Sequence, residues 1–348
     1  MSVKAKAPRR SFGAVAAGVL AGLALTFAGQ ASAETVLKMH SQIVESRPEA
    51  KRLNEFAAKV AEKSGGDLKI QVYHAGSLGL KDSDLLRILQ AGAVDMAMLY
   101  GEYYTRDAPG LAAVYVQGAI RKPEQHLKLL PTIRQIYEEA YQAWGIRTVG
   151  GVVSPVFDVG IHCKDPVDSL EQLRSKKLRV WAAHLVDTFN RLDVAAQVIP
   201  QNEMYLALQT GVVDCAYYLS TVASTVSLQE VTSYESYLHP WAAVPWMFGI
   251  SQKAWSSLTP EQQAILKEAG EEVWTETAAA AVDPEREAKA RAEREKLGIK
   301  MLPPFSQADV DAFVAASKSA WLALAQKAGP SGVAIYERMQ AEIAKAGE

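Results

Sequence analysis

The chain has 348 residues, of which 49% are hydrophobic and 22% are charged, and its formal net charge is −2. This length suits two domains, and the composition allows a large buried core, which argues against global disorder. The slight excess of acidic residues argues against nucleic acid as a partner.

The first 33 residues follow the order of a secretory signal peptide. Four basic residues precede an apolar stretch from Phe12 to Gly29, and Ala31-Ser32-Ala33 supplies small residues for cleavage. We expect cleavage after Ala33 and a soluble mature protein in the periplasm. Loss of the four positive charges changes the formal net charge from −2 to −6. The pair Arg9-Arg10 resembles a twin-arginine export signal, although ordinary export signals also carry such pairs. The alternative to a cleaved signal peptide is an uncleaved membrane anchor.

The first half of the mature chain alternates strand and helix patterns. Alternating apolar residues predict strands over Thr35 to His40 and over Leu68 to Tyr73. Apolar residues at helical spacing lie between these strands. A helix from Leu85 to Gln90 and a strand from Val94 to Leu99 complete a β-α-β-α-β order. This order is typical of a parallel sheet with helices on its faces.

The second half repeats this order of elements. The predicted elements are a strand over Leu178 to Trp181, a helix over about Leu185 to Leu192, a strand over Ala196 to Ile199, a helix over Met204 to Gln209 that Asn202 caps, and a strand over Val212 to Leu219. The two halves are therefore expected to form similar units.

Two nearly identical segments mark the repeat: LQAGAVDMA begins at Leu89, and LQTGVVDCA begins at Leu208. In each copy the leucine is expected to pack inward, and Gly92 or Gly211 permits the left-handed turn that ends a helix. We infer two lobes built alike, although a structural idiom that arose twice by chance is the alternative. Ligands of open α/β sheets bind beyond the carboxyl ends of the strands, which places Tyr100 and the later tyrosine pair at an interlobe cleft.

The predicted fold class is α/β, with two lobes. Each lobe is expected to be a mixed or mostly parallel sheet flanked by helices. Lobe I is assigned residues 34–155 and about 244–280, and lobe II residues 156–243 and about 285–348. The chain is expected to be mostly helical from Thr259 to Leu297, with a kink at Asp283-Pro284. The charged run from Asp283 to Glu295 is expected to be a solvated helix face.

The chain has two cysteines, Cys163 and Cys215, and both lie in strand-like runs. The periplasm permits a disulfide, but two cysteines in a chain of this length do not make a disulfide framework. We expect buried free thiols.

The common catalytic motifs are absent from the sequence. The six histidines show no HxH, HxxxH or HExxH spacing, which predicts no metal site. The chain has no P-loop and no dinucleotide fingerprint, and the segment around Ser77 lacks the first glycine of a nucleophile elbow. We therefore predict no cofactor and no catalytic residue.

One arginine stands out because it lies inside an alternating strand. Leu178 and Val180 are expected to point to one face, and Arg179 and Trp181 to the other. A guanidinium beside an aromatic ring suits a carboxylate ligand, to which it can donate two parallel hydrogen bonds. A structural ion pair between Arg179 and a protein acid is the alternative.

Several longer motifs resemble the solute-binding proteins of TRAP transporters (tripartite, ATP-independent, periplasmic; the DctP-like family). The residues that carry the resemblance are the KLRV of Lys177 to Val180, the segment PQNEMYLALQTGVVD from Pro200 to Asp214, and the AWSSLTPEQQ that begins at Ala254. The EKSGG from Glu62 and the first LQAGAVD also match the family pattern. The resemblance spans nearly the whole mature chain.

The resemblance implies the two-lobed architecture of periplasmic binding proteins, with long helices bridging the lobes. It also implies a receptor whose lobes close on a carboxylate anchored by Arg179. The closed receptor would then deliver its ligand to the membrane permease subunits of the transporter. The rivals to this interpretation are an ABC-type solute receptor and a periplasmic enzyme acting on a small organic acid.

The candidate binding residues surround that arginine. Aromatic walls are expected from Tyr100, Phe157, Trp181, Tyr217 and Tyr218. These side chains favour a monocarboxylate with an apolar or aromatic body over a polyhydroxylated acid.

Glu102 and Asn202 are weaker candidates for contacts to ligand hydroxyl or oxo groups, and Asn202 also suits a helix cap. The strand from Phe157 to His162 lacks the second arginine that some branches of the family carry there. The two tyrosines after VVD stand where metal-using branches have a carboxylate, so no metal is expected.

Overall fold

The computed structural model describes Met1 and residues 34–120, 122–240 and 245–347, and the side chain of Asn202 is outside the description. The described residues from Glu34 onward form one compact unit. The signal peptide predicted for residues 1–33 therefore lies, apart from Met1, outside the described residues. None of the helices in the described parts of the chain is long and apolar enough to cross a membrane.

The described residues form strands and helices that alternate along most of the chain. The strands are β1 (Thr35–His40), β2 (Leu68–Tyr73), β3 (Met96–Leu99), β4 (Ile146–Val153), β5 (Asp158–Cys163), β6 (Lys177–Val180), β7 (Ala195–Val198), β8 (Cys215–Leu219), β9 (Tyr234–Pro240), β10 (Pro245–Ser251) and β11 (Lys300–Met301). The helices are α1 (Pro48–Lys63), α2 (Leu85–Gln90), α3 (Pro123–Gln142), α4 (Leu170–Leu173), α5 (Ala183–Asn190), α6 (Gln201–Thr210), α7 (Gln252–Ser257), α8 (Pro260–Ala279), α9 (Pro284–Lys296), α10 (Gln307–Lys327) and α11 (Pro330–Gly347). Short 3₁₀ segments occur at Asp82–Asp84, Gly101–Tyr104, Pro109–Ala113, Ser220–Val226 and Leu228–Glu230.

The strands form two mixed sheets with the same plan. The first has the order β2-β1-β3-β10-β4, and the second the order β11-β9-β5-β8-β6-β7. In each sheet the three strands of the repeated β-α-β-α-β unit are parallel, namely β2-β1-β3 and β7-β6-β8. The next strand in each, β10 or β5, runs antiparallel to its neighbours. The predicted α/β fold with two similar lobes is confirmed.

The repeated nine-residue segment has the same structure in both lobes. Leu89 and Leu208 are fully buried, and Gly92 and Gly211 have φ angles of 63° and 78°. Glycine is suited to this left-handed region because it has no Cβ to clash with the backbone.

The aspartates of the two copies also make the same contact. The Asp95 carboxylate accepts a hydrogen bond from the backbone N–H of Lys38 at 2.9 Å. The Asp214 carboxylate accepts one from the backbone N–H of Lys177 at 2.8 Å. Each aspartate thus holds the start of its strand against the neighbouring parallel strand.

The C-terminal helices connect the two sheets. Helix α8 packs on α1 and β4 in the first lobe, whereas α9 packs on the 3₁₀ segment Ser220–Val226 in the second. Helix α10 contacts α5 of the second lobe and the segment Pro109–Ala113 of the first. The indole of Trp321 in α10 donates to the carbonyl of Ala113 at 2.8 Å. Helix α11, which the sequence analysis grouped with lobe II, packs on α3 and on Pro109–Ala113.

The expectation of free thiols is wrong, because Cys163 and Cys215 form a disulfide. The two residues lie directly opposite each other in the antiparallel pair β5–β8, with their Cα atoms 4.2 Å apart. That spacing is characteristic of a cross-strand pair that exchanges no backbone hydrogen bonds, where the side chains come closest. The sequence places both cysteines in strands but does not reveal that these strands are neighbours.

Three local expectations also need correction. Pro200 is the N-cap of α6, so Asn202 lies inside the helix and does not cap it. The chain breaks between α8 and α9 rather than kinking, and Asp283 caps the new helix. The charged run is not entirely solvated: Arg294 is buried and forms a two-pronged ion pair with Glu235, with N–O distances of 2.6 and 2.9 Å.

Candidate functional site

A cleft between the two lobes lies at the carboxyl ends of strands from both sheets, where open α/β sheets bind their ligands. Lobe I lines it with Ile43, Arg47, Tyr100, Tyr103 and Trp246. Lobe II lines it with Arg179, Trp181, Gln201, Tyr218 and Leu219. The structure thus brings together four of the residues predicted from the sequence: Tyr100, Arg179, Trp181 and Tyr218.

Arg179 is buried and has no acidic partner among the described residues. It is 1% exposed. Its Nε donates to the carbonyl of Ile199 at 2.9 Å, and Nη1 lies 3.5 Å from the carbonyl of Tyr217. Burial lowers the pKa of Arg179 to about 10. The guanidinium is therefore oriented by backbone carbonyls, while its positive charge is left without a neighbouring carboxylate.

Aromatic rings form the walls of the cleft. Tyr100 stacks on Trp246 with ring centroids 4.5 Å apart and meets Tyr103 edge to face at 5.0 Å. On the other lobe, the ring of Tyr218 lies 5.6 Å from the Arg179 guanidinium carbon, a cation–π distance. The cleft thus has flat apolar walls around the Arg179 guanidinium, a combination that suits an anion with a planar or apolar body.

A second arginine of the cleft, Arg47, was not predicted from the sequence. It is the N-cap residue of α1 and is 3% exposed. Its Nε and Nη2 donate to the two carboxylate oxygens of Glu49, with the Nε contact at 3.0 Å. Its Nη1 reaches across the cleft to the hydroxyl of Tyr218 at 3.2 Å and to Gln201 Oε1 at 3.4 Å. The loop after β1 also follows the carboxyl end of a parallel strand, so the rule that identified Tyr100 applies to this loop too.

Burial works against the charge of Arg47, but the attraction and hydrogen bonds of Glu49 and Tyr218 together more than offset it. The pKa of Arg47 consequently lies above its ordinary value. The two arginines of the cleft therefore differ: Arg47 is neutralised by a protein carboxylate, and Arg179 is not.

Phe157 and Tyr217 do not line the cleft. Phe157 lies in the segment that connects β4 to β5, and its side chain is fully buried. The ring of Tyr217 stacks behind Trp181 with centroids 4.7 Å apart, and its hydroxyl hydrogen-bonds to His239. Successive strand residues face opposite sides of a sheet, so only Tyr218 of the tyrosine pair reaches the cleft. The side chain of Asn202 lies outside the described residues.

Glu102 lies behind the aromatic wall and has the most perturbed carboxyl group near the site. Burial raises the pKa of Glu102 to about 7, against the opposing hydrogen bonds from Tyr100, Gln117 and Trp181. Gln117 donates to Glu102 Oε1 at 3.0 Å. Glu102 thus links the aromatic residues of the two lobes rather than lining the cleft itself.

No group of three or more His, Cys, Asp or Glu side chains that could hold a metal ion occurs among residues 34–120, 122–240 and 245–347. The polar groups of the cleft include two guanidinium groups, which only donate hydrogen bonds, and tyrosine hydroxyls, which can donate or accept. Such groups suit an anionic ligand.

Two similar lobes with a cleft between them that is lined by two arginines are typical of two-lobed solute-binding proteins. The chain belongs to the DctP family, the bacterial extracellular solute-binding proteins of family 7, whose model matches residues 40–328.

Relatives in the family differ in their ligands. A monocarboxylate 2-oxoacid-binding periplasmic protein from Nostoc sp. (strain PCC 7120) is 29% identical over 221 residues, covering 61% of this chain and 59% of that protein. The C4-dicarboxylate-binding protein DctB from Bacillus subtilis is 26% identical over 273 residues, covering 73% of each. Among solved structures, the Bordetella pertussis receptor DctP7, which binds pyroglutamic acid, superposes with a TM-score of 0.76 at 19% identity, covering 88% of this chain and 99% of that one. The solved structures similar to this chain include TRAP periplasmic solute-binding proteins.

Proposed function

We propose that this chain is the periplasmic substrate-binding protein of a TRAP transporter and that it captures a small organic monocarboxylate through Arg179. The observation that carries the proposal is a buried guanidinium that lines the interlobe cleft with no described acid beside it. Leaving a buried charge without a partner is costly. A carboxylate ligand would supply the missing charge and accept two parallel hydrogen bonds from the fork.

The body of the ligand is expected to be small and apolar or planar. Tyr100, Tyr103, Trp181 and Trp246 offer ring faces and edges, and Ile43 and Leu219 add apolar surface. Tyrosine hydroxyls and Gln201 can bind an oxo or hydroxyl group near the carboxylate. A polyhydroxylated acid would leave more of its hydroxyls facing apolar walls, which costs free energy.

In the proposed cycle the signal peptide directs export and is cleaved after Ala33, and the lobes close on the ligand in the periplasm. The closed form then docks on the membrane permease, which takes the ligand up. The chain acts as a receptor and not as an enzyme, with no metal or cofactor in the site.

The test begins with a thermal-shift screen of the mature protein against a library of small organic acids, since a ligand of the folded state raises the melting temperature. Calorimetry of the best ligand then compares the wild type with Arg179→Ala. Truncating one partner of a desolvated charge pair costs about 2–5 kcal/mol, which is roughly a 30- to several-thousand-fold loss of affinity. Arg179→Lys is expected to bind poorly too, because an ammonium group cannot form the fork.

The matched control is Arg174→Ala, which removes the same side chain from an exposed position just before β6 and should leave the affinity within about threefold. Equal affinity of Arg179→Ala and wild type would overturn the anchor. Conversion of the bound acid into a product would favour the enzyme alternative. Uptake of the ligand by vesicles that hold the permease should require this protein and an ion gradient but no ATP.

A further inference from the structure

The two arginines of the cleft stand in different electrostatic environments. Both Arg47 and Arg179 line the cleft, and both touch Tyr218, one through its hydroxyl at 3.2 Å and the other over its ring at 5.6 Å. Two free guanidinium groups in the same cleft would suit a ligand with two carboxylates. Only Arg179 is free of a described acid.

Glu49 occupies the pair of Arg47 donors, Nε and Nη2, that could otherwise bind a ligand carboxylate. It lies in the first turn of α1 and is fully buried. Its two carboxylate oxygens accept hydrogen bonds from Nε and Nη2 of Arg47. A carboxylate in the first turn of a helix is also favoured by the positive end of the helix dipole. Arg47 is left with only Nη1 directed at lobe II, where it contacts Tyr218 and Gln201.

A further chain of hydrogen bonds ties Glu49 to the wall of the cleft. The Trp246 indole donates to the Ser154 hydroxyl at 2.6 Å. The Ser154 hydroxyl in turn donates to Glu49 Oε1 at 3.5 Å. Glu49 is thus held in place from both sides, as expected of a group with a fixed role in a buried site.

We propose that Glu49 is a specificity-determining residue that restricts the cleft to monocarboxylates by occupying the Arg47 fork. With Glu49 ionised, Arg47 and Glu49 sum to zero charge, and the cleft has one unmatched positive charge, that of Arg179. A second ligand carboxylate would meet the Glu49 carboxylate at Arg47, the other cation among the described residues that line the cleft. Like charges brought together in a desolvated site repel strongly. This inference rests on the proposed function, since it assumes that Arg179 anchors the first carboxylate.

The experiment compares two five-carbon 2-oxoacids, 2-oxovalerate and 2-oxoglutarate, which differ by a methyl group against a second carboxylate. Calorimetry or competition against the best ligand of the screen gives the ratio of the two affinities. Wild type is expected to favour 2-oxovalerate by at least about tenfold. Glu49→Gln keeps the shape and removes the negative charge, so the ratio should move toward 2-oxoglutarate by at least about tenfold.

The matched control is Glu55→Gln, which removes the same charge from an exposed ion pair with Arg52 on the same helix and should leave the ratio unchanged. The double variant Arg47→Gln/Glu49→Gln removes both charges and should keep the preference of the wild type. Because it creates no new buried charge without a partner, it also serves where Glu49→Gln fails to fold.

A wild type that prefers 2-oxoglutarate, an unchanged ratio in folded Glu49→Gln, or a double variant that binds 2-oxoglutarate better than 2-oxovalerate would each overturn the role of Glu49. In those cases the loss of binding in Arg179→Ala would still support the proposed function. Absence of carboxylate binding by the wild type would instead overturn both.

Discussion

The two lobes place different chemistry at equivalent positions of the same scaffold. In lobe I, His40 of β1 is paired with Ala97, the last residue of the first nine-residue repeat. In lobe II, Arg179 of β6 is paired with Ala216, the last residue of the second repeat. His40 Nε2 hydrogen-bonds to Asp82 of its own lobe at 2.8 Å, whereas Arg179 has no described acidic neighbour.

A second pair of equivalent positions differs in the same way. Met96 of β3 lies opposite Ile250 of β10, and Cys215 of β8 lies opposite Cys163 of β5. Lobe I fills this cross-strand position by apolar packing, and lobe II closes it with a covalent bond. The comparison teaches that the repeat specifies the backbone, while single side chains at matched positions specify the anion site and the crosslink.

Substitution at the first pair of positions should separate the lobes most strongly. Arg179→Ala is expected to lower the affinity for the carboxylate ligand by roughly 30-fold or more. His40→Asn should leave that affinity within about threefold, because the side chain of His40 bonds to Asp82 of its own lobe. Calorimetry on both variants, at a temperature where each is folded, makes the comparison. A similar loss at both positions would show that lobe I contributes an anchor of its own.

Removal of the crosslink should weaken lobe II. The disulfide joins residues 52 apart in sequence, and the double variant Cys163→Ala/Cys215→Ala should lower the free energy of unfolding by about 2–4 kcal/mol. Urea unfolding of the wild type with and without dithiothreitol should reproduce this loss, and the variant should not respond to the reagent. A wild type that is indifferent to reductant would show that the covalent bond adds little to the packing that lobe I achieves without it.

Glu102 should give the stability of the protein a distinct pH dependence. Its folded pKa of about 7 lies above the ordinary value of 4.5, so the folded state binds the extra proton between those values. The free energy of unfolding therefore falls by about 1–3 kcal/mol as the pH rises from about 4.5 through 7, because the buried Glu102 carboxyl loses its proton. Glu102→Gln should gain stability relative to the wild type across that window, as urea unfolding at pH 4.5, 6 and 7.5 would show. Parallel pH profiles of the two proteins would contradict the assignment.

The smallest effect is expected at the two aspartates of the repeat. Asp95→Ala and Asp214→Ala each remove one acceptor for a backbone N–H at a strand start, which should cost about 1 kcal/mol of unfolding free energy. The two costs should agree within about 0.5 kcal/mol, since the contacts have the same geometry. Chemical denaturation of both variants tests this, and clearly unequal losses would break the equivalence of the lobes.

Much of the fold could be predicted because its signals are local. Helix α2 has the predicted bounds, and α8 begins with a capping box formed by Thr259 and Gln262, which lie three positions apart. The alternation of the strand predicted that Arg179 and Leu178 point to opposite faces of the sheet. The family motifs predicted a ligand cleft next to Arg179. These features depend on residues within a few positions of one another.

The sequence by itself determined two lobes of repeated strands and helices and placed an arginine on a strand facing a cleft, because periodicity, caps and glycine turns act over short stretches of chain. Only the tertiary structure decided that Cys163 meets Cys215, that Tyr218 rather than Tyr217 lines the cleft, and that Arg47 is neutralised by Glu49. Each of these depends on which sheet face is covered or on which distant strands become neighbours. Such choices are made by the packing of the whole domain, and no short segment contains them.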